Sequence, residues 1–341
     1  MSGVNLAVLG ATGVVGNEIL KILAESSIPI NSLKLLSSPK SAGKKVVFKG
    51  KEYTVQNTTD EVFQDVDIVL ASAGASTSRT YVEAIKKAGA VIVDNSSAFR
   101  MDKDVPLVIA GVNDEDLRMH SGVVANPNCS TSQLMLALKP LHDYAGIKRL
   151  IVSTYQAVSG AGKAAMDELK AHTQAKLNNE PFETKAFVKP IAFNLIPQID
   201  VFCDNAYTKE EMKVVNETKK ILHLKEDTPI SCTAVRVPVF IGHSEAVTCE
   251  FEKPLSPEKA REILSNAYGV IVKDDISNSV YPTPIEAAGT DPVYVGRIRK
   301  DLAFDNAISY WVVADNLRIG AALNTVRIAE KLVSMKLVRN S

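Results

Sequence analysis

The first strand and helix constrain the fold more than any other part of the chain. Val4 to Leu9 is a continuous apolar run that Gly10 closes, and apolar residues at helical spacing follow from Val14 to Ala24. Such continuous runs are typical of parallel strands that are covered on both faces. Because strand-like and helix-like segments alternate up to about Ala125, the sequence predicts an α/β fold that begins with a Rossmann-like, doubly wound parallel sheet.

Beyond this point the predicted strands become longer, and several alternate apolar and polar residues as half-exposed antiparallel strands do. They span Leu150 to Ala157, Ile230 to Phe240, Ala246 to Phe251 and Ile308 to Val313. A chain of 341 residues exceeds one ordinary core. We therefore expect a first domain at 1–127, completed by a C-terminal helical segment at 315–341, and an α+β second domain with one sheet at 128–314. The last helix is predicted from about Leu317 to Leu337.

Composition argues against several classes of function. The 39 basic and 39 acidic side chains balance, which gives a nucleic-acid role no support and requires local basic residues for any anionic substrate. No apolar run approaches the roughly 18 residues of a membrane span. The four cysteines lack metal-type spacing, so we predict no metal site and expect the reduced thiols of a cytoplasmic protein.

The turn from Gly10 to Gly16 has a glycine at every third position and joins the first strand to the first helix. Glycines here allow a tight turn and the close approach of a pyrophosphate, which the N–H groups of the helix N-terminus can bind. Because a strand and a helix flank it, we interpret this segment as a dinucleotide-binding turn. The alternative is a tight turn with a purely structural role.

The end of the predicted second strand indicates which dinucleotide binds. NAD-binding proteins usually place an acidic residue there to bind the ribose 2′-hydroxyl. This chain instead has Ser37, Ser38, Lys40 and Ser41 in a stretch without acids, which favours the 2′-phosphate of NADP; the alternative is a solvated loop. Ser72-Ala73-Gly74 follows another strand, where small residues would let the backbone approach the nicotinamide.

Cys129 is the candidate nucleophile. It precedes a patterned helix from Gln133 to Tyr144, so its thiol is expected at a helix N-terminus. Unpaired N–H groups and the helix dipole favour a thiolate at such a position. Among the other cysteines, Cys203 falls in a predicted loop, whereas Cys232 and Cys249 fall in strands, where buried structural thiols are expected.

His243 is the candidate general base. It lies between Ile241-Gly242 and a predicted strand, which would expose it at a sheet edge, and imidazole titrates near neutral pH. The other histidines have charged or polar neighbours and are predicted to be surface residues: His120, His142, His172 and His223.

Three basic residues are candidates for binding anions. Arg100 is expected at a sheet edge. Arg236 lies in an otherwise apolar strand, where burial requires a carboxylate partner, either a substrate or an internal glutamate. Lys213 lies one helical turn after Glu210, and the alternative for this pair is a surface salt bridge.

Taken together, these motifs and their order resemble those of the aspartate-β-semialdehyde dehydrogenase family. The resemblance extends over essentially the whole chain and rests on an ordered set of segments, which is far more specific than a glycine loop alone. The segments are Gly10 to Gly16, Asn126 to Thr131, Tyr155 to Gly162, Arg236 to Val239, Gly242-His243 and Asp315 to Ala322.

The resemblance implies a role for each candidate. Cys129 is implied as the nucleophile and acyl-thioester site, His243 as the acid/base, and Gln156 as the residue that orients the substrate. The implied substrate contacts are Arg236 for the α-carboxylate, Glu210 for the α-amino group, and Arg100, Asn128 and Lys213 for phosphate. The cofactor site predicted from the turn, the loop and the resemblance comprises Gly10, Thr12, Gly13, Val14, Val15, Ser37, Ser38, Lys40, Ser41, Ser72, Gly74, Ser159, Gly160 and Asn316.

The resemblance also implies the reaction. The Cys129 thiolate attacks the aldehyde of L-aspartate 4-semialdehyde, His243 removes the hydroxyl proton of the adduct, and oxidation by NADP leaves a thioester. Inorganic phosphate then cleaves the thioester to 4-phospho-L-aspartate. In biosynthesis the reaction runs in the reductive direction and feeds the diaminopimelate, lysine, methionine and threonine pathways. A homodimer formed through the second domain, or a homotetramer, is implied.

Three alternatives remain open. N-acetyl-glutamyl-phosphate reductase shares the chemistry, but Asn128, Gln156 and Glu210 favour an aspartyl substrate. A glyceraldehyde-phosphate-type dehydrogenase has a different context around its cysteine. A non-catalytic NADP-sensing protein would not need Cys129, Gln156 and His243 together, and alkylation of the cysteine would leave its function intact.

Overall fold

The computed structural model describes residues 3–339, which form two compact units. One unit contains the described residues up to Asn128 and those from Ala321 onward, and the other is Cys129–Gly320. Strands Val4–Leu9, Ile68–Ala71 and Val91–Asp94 of the first unit are buried along nearly their whole length, whereas Ile147–Gln156 and Ile230–Arg236 of the second alternate in burial. Each unit is built around its own six-stranded sheet.

The sheet of the first unit is parallel, in the order β5-β2-β1-β6-β7-β8. The strands are β1 (Val4–Leu9), β2 (Ile30–Ser37), β5 (Gln56–Asn57), β6 (Ile68–Ala71), β7 (Val91–Asp94) and β8 (Val123–Ala125), and a separate hairpin is formed by β3 (Lys45–Phe48) and β4 (Lys51–Thr54). Helices α1 (Val14–Glu25) and α2 (Ala75–Lys87) connect strands of the sheet. Strand order reverses at β1, where ligands bind in sheets of this kind.

The second unit has a mixed sheet in the order β10-β9-β11-β14-β13-β12. Its strands are β9 (Ile147–Gln156), β10 (Ile230–Arg236), β11 (His243–Phe251), β12 (Val270–Val272), β13 (Val293–Lys300) and β14 (Ala307–Ala314). Its helices are α3 (Cys129–Ala145), α4 (Lys163–Leu177), α5 (Lys209–Ile221), α6 (Pro257–Ser265) and α7 (Pro284–Ala287). The predicted fold class, a Rossmann-like sheet followed by a separate α+β region with one sheet, is confirmed.

Several predicted boundaries are wrong. The strand predicted from Ile230 to Phe240 ends at Arg236, because Pro238 follows closely and proline cannot donate to a strand ladder. The next strand begins at His243, earlier than predicted, after Gly242 turns the chain with φ +100°. Strands β12 and β13 were not predicted.

The C-terminal helix is shorter than predicted. A π-helical turn, Arg318–Ala322, precedes α8 (Leu323–Ser334), and the chain leaves the helix through Lys336 with φ 57°. Helix α8 packs against α1, β6 and β7 of the first unit. Residues 340 and 341 of the predicted segment lie outside the described range.

Candidate active site

Cys129 is the first residue of α3, so its side chain is at the end of the helix where the N–H groups are unpaired by the helix itself. Ser130, Thr131 and Ser132 form the first turn and are buried, whereas Cys129 is partly accessible. The positive end of the helix dipole stabilises a negative charge at this position, which lowers the energetic cost of forming the thiolate. Local sequence alone therefore places a cysteine at a position that favours the thiolate form.

The imidazole of His243 faces this thiol. Nε2 of His243 lies 3.2 Å from Sγ of Cys129, although the two residues are far apart in the sequence. His243 begins β11 and is fully buried, contrary to the exposed sheet edge expected for it. The preceding Gly242 has φ +100°, and a Cβ there would lie 3.0 Å from atoms of Pro284. Only glycine fits this turn, which delivers His243 to the cysteine.

Ala157 connects His243 to Arg236 through its backbone. Its N–H donates to Nδ1 of His243 at 3.1 Å, and its carbonyl accepts from Nη1 of Arg236 at 2.8 Å. Arg236 ends β10 directly opposite Gln156, the last residue of the parallel strand β9. The carboxyl ends of two adjacent parallel strands thus bring these polar side chains together, as is common for ligand sites in α/β sheets.

Glu210 extends the same cluster. Its carboxylate accepts from Nε2 of Gln156 at 3.2 Å and from Nζ of Lys213 at 3.0 Å, and Lys213 also binds Asp200 at 3.0 Å. Glu210 lies in the first turn of α5, whose start is fixed by a capping box between Thr208 and its N3 residue. Glu210 is buried and Lys213 is partly exposed, so the pair joins the buried cluster to the surface.

Burial and neighbouring charges set the protonation of this cluster. Burial, followed by the positive charge of Arg236, lowers the pKa of His243 well below its ordinary value. Burial also lowers the pKa of Arg236, while the negative charges of Glu210 and Cys129 oppose that change. Burial disfavours the charge on Lys213, but the adjacent carboxylates outweigh it and raise the pKa of Lys213. Perturbed pKa values of this kind concentrate at functional sites.

Three residues predicted for the cofactor site lie beside His243. Oδ1 of Asn316 accepts from Oγ of Ser159 and from the N–H of Gly242, both at 3.0 Å. A Cβ on Gly160 would lie 3.1 Å from Nη1 of Arg236 and 3.2 Å from Cε1 of His243. The absence of a side chain at Gly160 therefore leaves space next to His243 and Arg236.

The first unit contains a cleft of about 400 Å³ around the glycine turn. Six of the predicted cofactor residues line it: Gly10, Thr12, Gly13, Ser37, Ser38 and Ser72. Five others lie outside its lining: Val14, Val15, Lys40, Ser41 and Gly74. The lining also includes residues that were not predicted, namely Asn57, Thr58, Ala73, Thr77 and Tyr81.

The shape of this cleft fits a dinucleotide phosphate. Gly10 has φ +85°, and a Cβ on Gly16 would lie 2.1 Å from the carbonyl oxygen of Gly10. The start of α1 therefore packs directly on the turn, and no side chain caps its N-terminus at Gly13. Oγ1 of Thr12 and Oγ of Ser37 are hydrogen-bonded at 2.9 Å in the lining of the cleft. Exposed helix N–H groups beside two hydroxyls form a suitable site for phosphate oxygens.

Arg100 and Asn128, predicted to bind phosphate, belong to the first unit, and both are buried. The guanidinium of Arg100 donates to the carbonyls of Asn126 at 2.9 Å and Asn95 at 2.8 Å. These hydrogen bonds fix the orientation of the guanidinium. The two carbonyls are neutral acceptors, so they do not neutralise its positive charge.

The prediction that His172 lies on the surface is wrong. Its ring is buried on α4, stacks 4.3 Å from the ring of Phe182, and has Nε2 3.0 Å from the carbonyl of Glu183. The aromatic neighbour comes from a segment beyond the helix, which helical spacing alone does not reveal. Cys232 and Cys249 are buried in strands as expected, and burial raises the pKa of both thiols.

Membrane-spanning helices and clusters of metal-ligating side chains are both absent from residues 3–339. No helix in that range is both long and apolar enough to cross a membrane. Within the same range, no group of three or more histidine, cysteine or acidic side chains is arranged to hold a metal ion.

Each of the two units matches a known protein family. The profile of the semialdehyde dehydrogenase NAD binding domain matches residues 5–120, and that of the semialdehyde dehydrogenase dimerisation domain matches residues 138–319. The chain is 53% identical to aspartate-semialdehyde dehydrogenase of Aquifex aeolicus, covering 98% of this chain and 100% of the relative. It is 50% identical to the enzyme of the same name from Bacillus subtilis, covering 98% and 99%.

Solved structures agree with these relatives. Aspartate semialdehyde dehydrogenase II from Vibrio cholerae, complexed with ASA, superimposes with a TM-score of 0.95 at 46% identity and covers 98% of this chain and 99% of that one. Aspartate semialdehyde dehydrogenase from Candida albicans, solved with NADP, superimposes with a TM-score of 0.77 at 25% identity and covers 98% and 99%.

Proposed function

The chain belongs to the aspartate-semialdehyde dehydrogenase family, and from this premise we propose that it interconverts L-aspartate 4-semialdehyde and 4-phospho-L-aspartate with NADP and inorganic phosphate. The observation that carries the proposal is the 3.2 Å approach of Nε2 of His243 to Sγ of Cys129 at a helix N-terminus. A thiol and an imidazole in contact are the two groups that covalent catalysis at an aldehyde requires.

Cys129 is the nucleophile in this proposal. Its thiolate attacks the aldehyde carbon to give a tetrahedral adduct, and oxidation of that adduct leaves an acyl thioester on Sγ. His243, whose Nε2 lies 3.2 Å from Sγ of Cys129, removes the hydroxyl proton of this adduct. Phosphate then attacks the thioester, which releases the acyl phosphate and regenerates the thiolate.

Arg236 and Glu210 bind the amino-acid end of the substrate. The buried guanidinium of Arg236 offers a planar fork to the α-carboxylate, and the buried carboxylate of Glu210 offers acceptors to the α-ammonium group. Gln156 is hydrogen-bonded to Glu210 and aligned with Arg236, so its amide orients the substrate between the two charges.

Phosphate is assigned to Arg100, Asn128 and Lys213. The guanidinium of Arg100 is buried and is oriented by its hydrogen bonds to the carbonyls of Asn126 and Asn95, and its positive charge favours a nearby anion. Lys213 is protonated at neutral pH because its pKa is raised, and one of its partners, Asp200, is itself partly exposed. Each of these positive charges favours a dianion such as phosphate.

The cleft at the glycine turn is assigned to NADP, the cofactor present in the Candida albicans structure. Ser37 and Ser38 offer hydroxyls to a 2′-phosphate, and the stretch that contains them has no acidic residue to repel it. When bound, the nicotinamide accepts or supplies the hydride of the reaction. Lys40 and Ser41, although outside the cleft lining, remain assigned to the same phosphate from the exposed turn beyond β2.

In the cell we propose that the reaction runs in the reductive direction within amino-acid biosynthesis, in the cytoplasm, and that the protein is a homodimer formed through its second unit. The match of residues 138–319 to a dimerisation domain supports the assembly. N-acetyl-glutamyl-phosphate reductase is disfavoured because the buried carboxylate of Glu210, beside Gln156, can accept a hydrogen bond from a free ammonium group, which an acetylated substrate lacks.

The decisive experiment measures NADPH formation from L-aspartate 4-semialdehyde with and without phosphate, for the unaltered protein and for Cys129→Ser. We expect multiple turnovers that require phosphate, and loss of turnover with retained NADP binding in the variant, because serine is far less acidic than cysteine. A serine variant with substantial turnover contradicts the covalent mechanism. Preference for N-acetyl-glutamate semialdehyde contradicts the proposed substrate.

A further inference from the structure

Arg100, which the proposed function assigns to phosphate, is oriented by two backbone carbonyls at neighbouring strand ends. Its Nε donates to the carbonyl of Asn126 at 2.9 Å, and its Nη2 donates to that of Asn95 at 2.8 Å. Asn95 directly follows β7 and Asn126 directly follows β8, and these two strands are paired in parallel. Because a guanidinium is planar and rigid, its direction depends on how these two asparagines are held.

The side chains of the same two asparagines are held by helix α8. Nδ2 of Asn126 donates to Oδ1 of Asn95 at 2.7 Å, which ties the two strand ends together. Nδ2 of Asn324 donates to Oδ1 of Asn126, and Oγ1 of Thr325 lies 2.8 Å from Oδ1 of Asn95. Asn324 and Thr325 are consecutive, fully buried residues in the first turn of α8. We call these four residues the amide network.

One backbone group sets the direction of the hydrogen bonds in the amide network. The N–H of Ala110 can only donate, and it donates to the side-chain oxygen of Asn324 at 2.9 Å. Nδ2 of Asn324 must then face the side-chain oxygen of Asn126, and it also donates to the carbonyl of Val108 at 3.0 Å. Nδ2 of Asn126 must in turn face the oxygen of Asn95. Each amide is therefore oriented by the one before it.

We infer that Asn324 is a positioning residue for the phosphate site, because through Asn126 and Asn95 it holds the two carbonyls that fix the direction of the Arg100 guanidinium. This inference rests on the proposed function and adds to its phosphate site a residue that no sequence motif singled out.

Neutral side chains suit this task. The amide network ends at the sheet, where Nδ2 of Asn95 donates to the carbonyl of Ala71 on β6 at 2.8 Å. Its carboxamides and hydroxyl carry no formal charge. A carboxylate in the same place would attract the guanidinium of Arg100 and repel an incoming phosphate, whereas an amide orients the guanidinium through the carbonyls without opposing the anion.

The backbone that leads to Arg100 is fixed by contacts outside the amide network. The carboxylate of Asp94 accepts from Oγ of Ser78 and from Oγ of Ser96, both at 2.6 Å. Oγ of Ser96 also accepts from the N–H of Ala98 at 3.1 Å. Loss of the amide network should therefore disturb the direction of the guanidinium more than the course of this segment, and the effect should appear in phosphate binding.

The experiment compares two truncations in the first turn of α8. Asn324→Ala removes an amide, whereas Val326→Ala removes an apolar side chain that is similarly buried. Both variants should lower the midpoint of urea unfolding. Only Asn324→Ala should raise the KM for phosphate, by about three- to tenfold, the effect of one net hydrogen bond. The KM values for L-aspartate 4-semialdehyde and NADP should not change.

A second pair of variants makes smaller changes and serves if Asn324→Ala does not fold. Thr325→Val has nearly the shape of threonine but lacks the hydroxyl that contacts Asn95, whereas Thr325→Ser keeps that hydroxyl. We expect the phosphate KM to rise in the valine variant and to remain close to that of the unaltered protein in the serine variant. Equal phosphate KM values in these two variants overturn the inference.

Arg100→Gln distinguishes the possible failures. If the unaltered protein has no phosphate-dependent turnover, or if Arg100→Gln leaves the phosphate KM unchanged, the proposed function or its assignment of Arg100 is wrong, and the inference fails with it. If Arg100→Gln raises the phosphate KM but Asn324→Ala and Thr325→Val do not, the inference alone is overturned. An equal rise in Val326→Ala, or in the aldehyde KM, also overturns it, because a general loosening of α8 then explains the effect.

Discussion

Gly320 lies so close to Cys129 that a Cβ at position 320 would stand 2.7 Å from the Cβ of the cysteine. It would also lie 3.0 Å from the Cα of Cys129, so the obstacle is backbone as well as side chain. Gly320 belongs to the π-helical turn Arg318–Ala322, and its φ is not in the left-handed region. The requirement for glycine here is therefore one of space, and it fixes where the start of α3 can lie.

Gly320→Ala should displace Cys129 and impair the thiol specifically. Cβ atoms do not approach within 3.0 Å, so the start of α3 must shift, and a displacement of about 1 Å is enough to cost roughly 10²-fold in rate. The measurements are kcat and the rate of alkylation of Cys129, with NADP affinity expected to be unchanged. Gly43→Ala is the control for backbone strain without a steric clash. Gly43 has φ +84°, which strains an alanine, but no heavy atom would lie within 4 Å of the added Cβ. Unchanged alkylation in Gly320→Ala would contradict the steric argument.

Local patterns explain what the sequence could predict. The glycine turn and the cysteine at a helix start depend on neighbours in the chain, and both were identified. The cleft residues Thr77 and Tyr81 were missed because the first turns of α2, which begins at Ala75, are polar and lack the apolar spacing that predicts a helix. Apolar residues at helical spacing indicate only the buried face of a helix, and the side of α2 that lines the cleft is not buried.

Contacts made by backbone atoms were beyond prediction for a different reason. Alanine carries no chemical signal in a sequence, yet the N–H and the carbonyl of Ala157 bind His243 and Arg236. Which backbone group meets which side chain depends on the register between β9, β10 and β11, which is set by the whole sheet. The resemblance named the side chains of the cluster but not the atoms that orient them.

Glu245→Gln should increase stability more at high pH than at low pH. The Glu245 carboxyl is fully buried, and this burial, opposed by the side chain of Gln133, raises its pKa well above the ordinary value. Because the unfolded chain releases this proton at a lower pH than the folded protein does, stability falls as pH rises between the two pKa values. Glutamine does not titrate. The advantage of the variant should therefore grow by up to about 1.4 kcal/mol per pH unit.

Urea unfolding of Glu245→Gln at pH 5 and pH 8 checks this expectation. The exposed Glu252 provides a matched control, because Glu252→Gln changes the same functional group on the surface. The expected difference between the two pH values appears for position 245 alone. A stability gain that is identical at both pH values would mean that the Glu245 carboxyl is ionised in the folded protein.

Ser38→Asp should reduce the preference for NADP over NAD. Ser38 follows β2, is exposed, and lines the cleft at the glycine turn. An aspartate there repels a 2′-phosphate and accepts a hydrogen bond from a 2′-hydroxyl. The ratio of kcat/KM for the two cofactors should fall by at least about tenfold, while Ser38→Asn, which is similar in size but neutral, should change it much less. An unaltered ratio in the aspartate variant would place the 2′-phosphate elsewhere.

Lys213→Ala should raise the KM for phosphate, or for arsenate in its place, with a smaller effect on the KM for the aldehyde. The ammonium group of Lys213 is partly exposed and lies 3.0 Å from both Glu210 and Asp200, so its removal also leaves two carboxylates facing each other. Their negative field repels an incoming dianion, which adds to the loss of the positive charge. If the aldehyde KM rises more than the phosphate KM, Lys213 supports Glu210 in substrate binding and does not bind phosphate.

Arg236→Lys should show the opposite selectivity, because Arg236 is assigned to the α-carboxylate, the part of the substrate that does not change during the reaction. Its Nη1 is engaged by the carbonyl of Ala157, which leaves the rest of the fork for the carboxylate. Lysine is a single-point cation and cannot bind the carbonyl and both carboxylate oxygens in this way.

Losing one side of a buried charge-assisted pair costs about 2–5 kcal/mol. That range corresponds to a roughly 30- to 5000-fold loss in kcat/KM for L-aspartate 4-semialdehyde. Varying each substrate in turn tests the assignment, since a variant that affects mainly the phosphate KM would exchange the roles of Arg236 and Lys213.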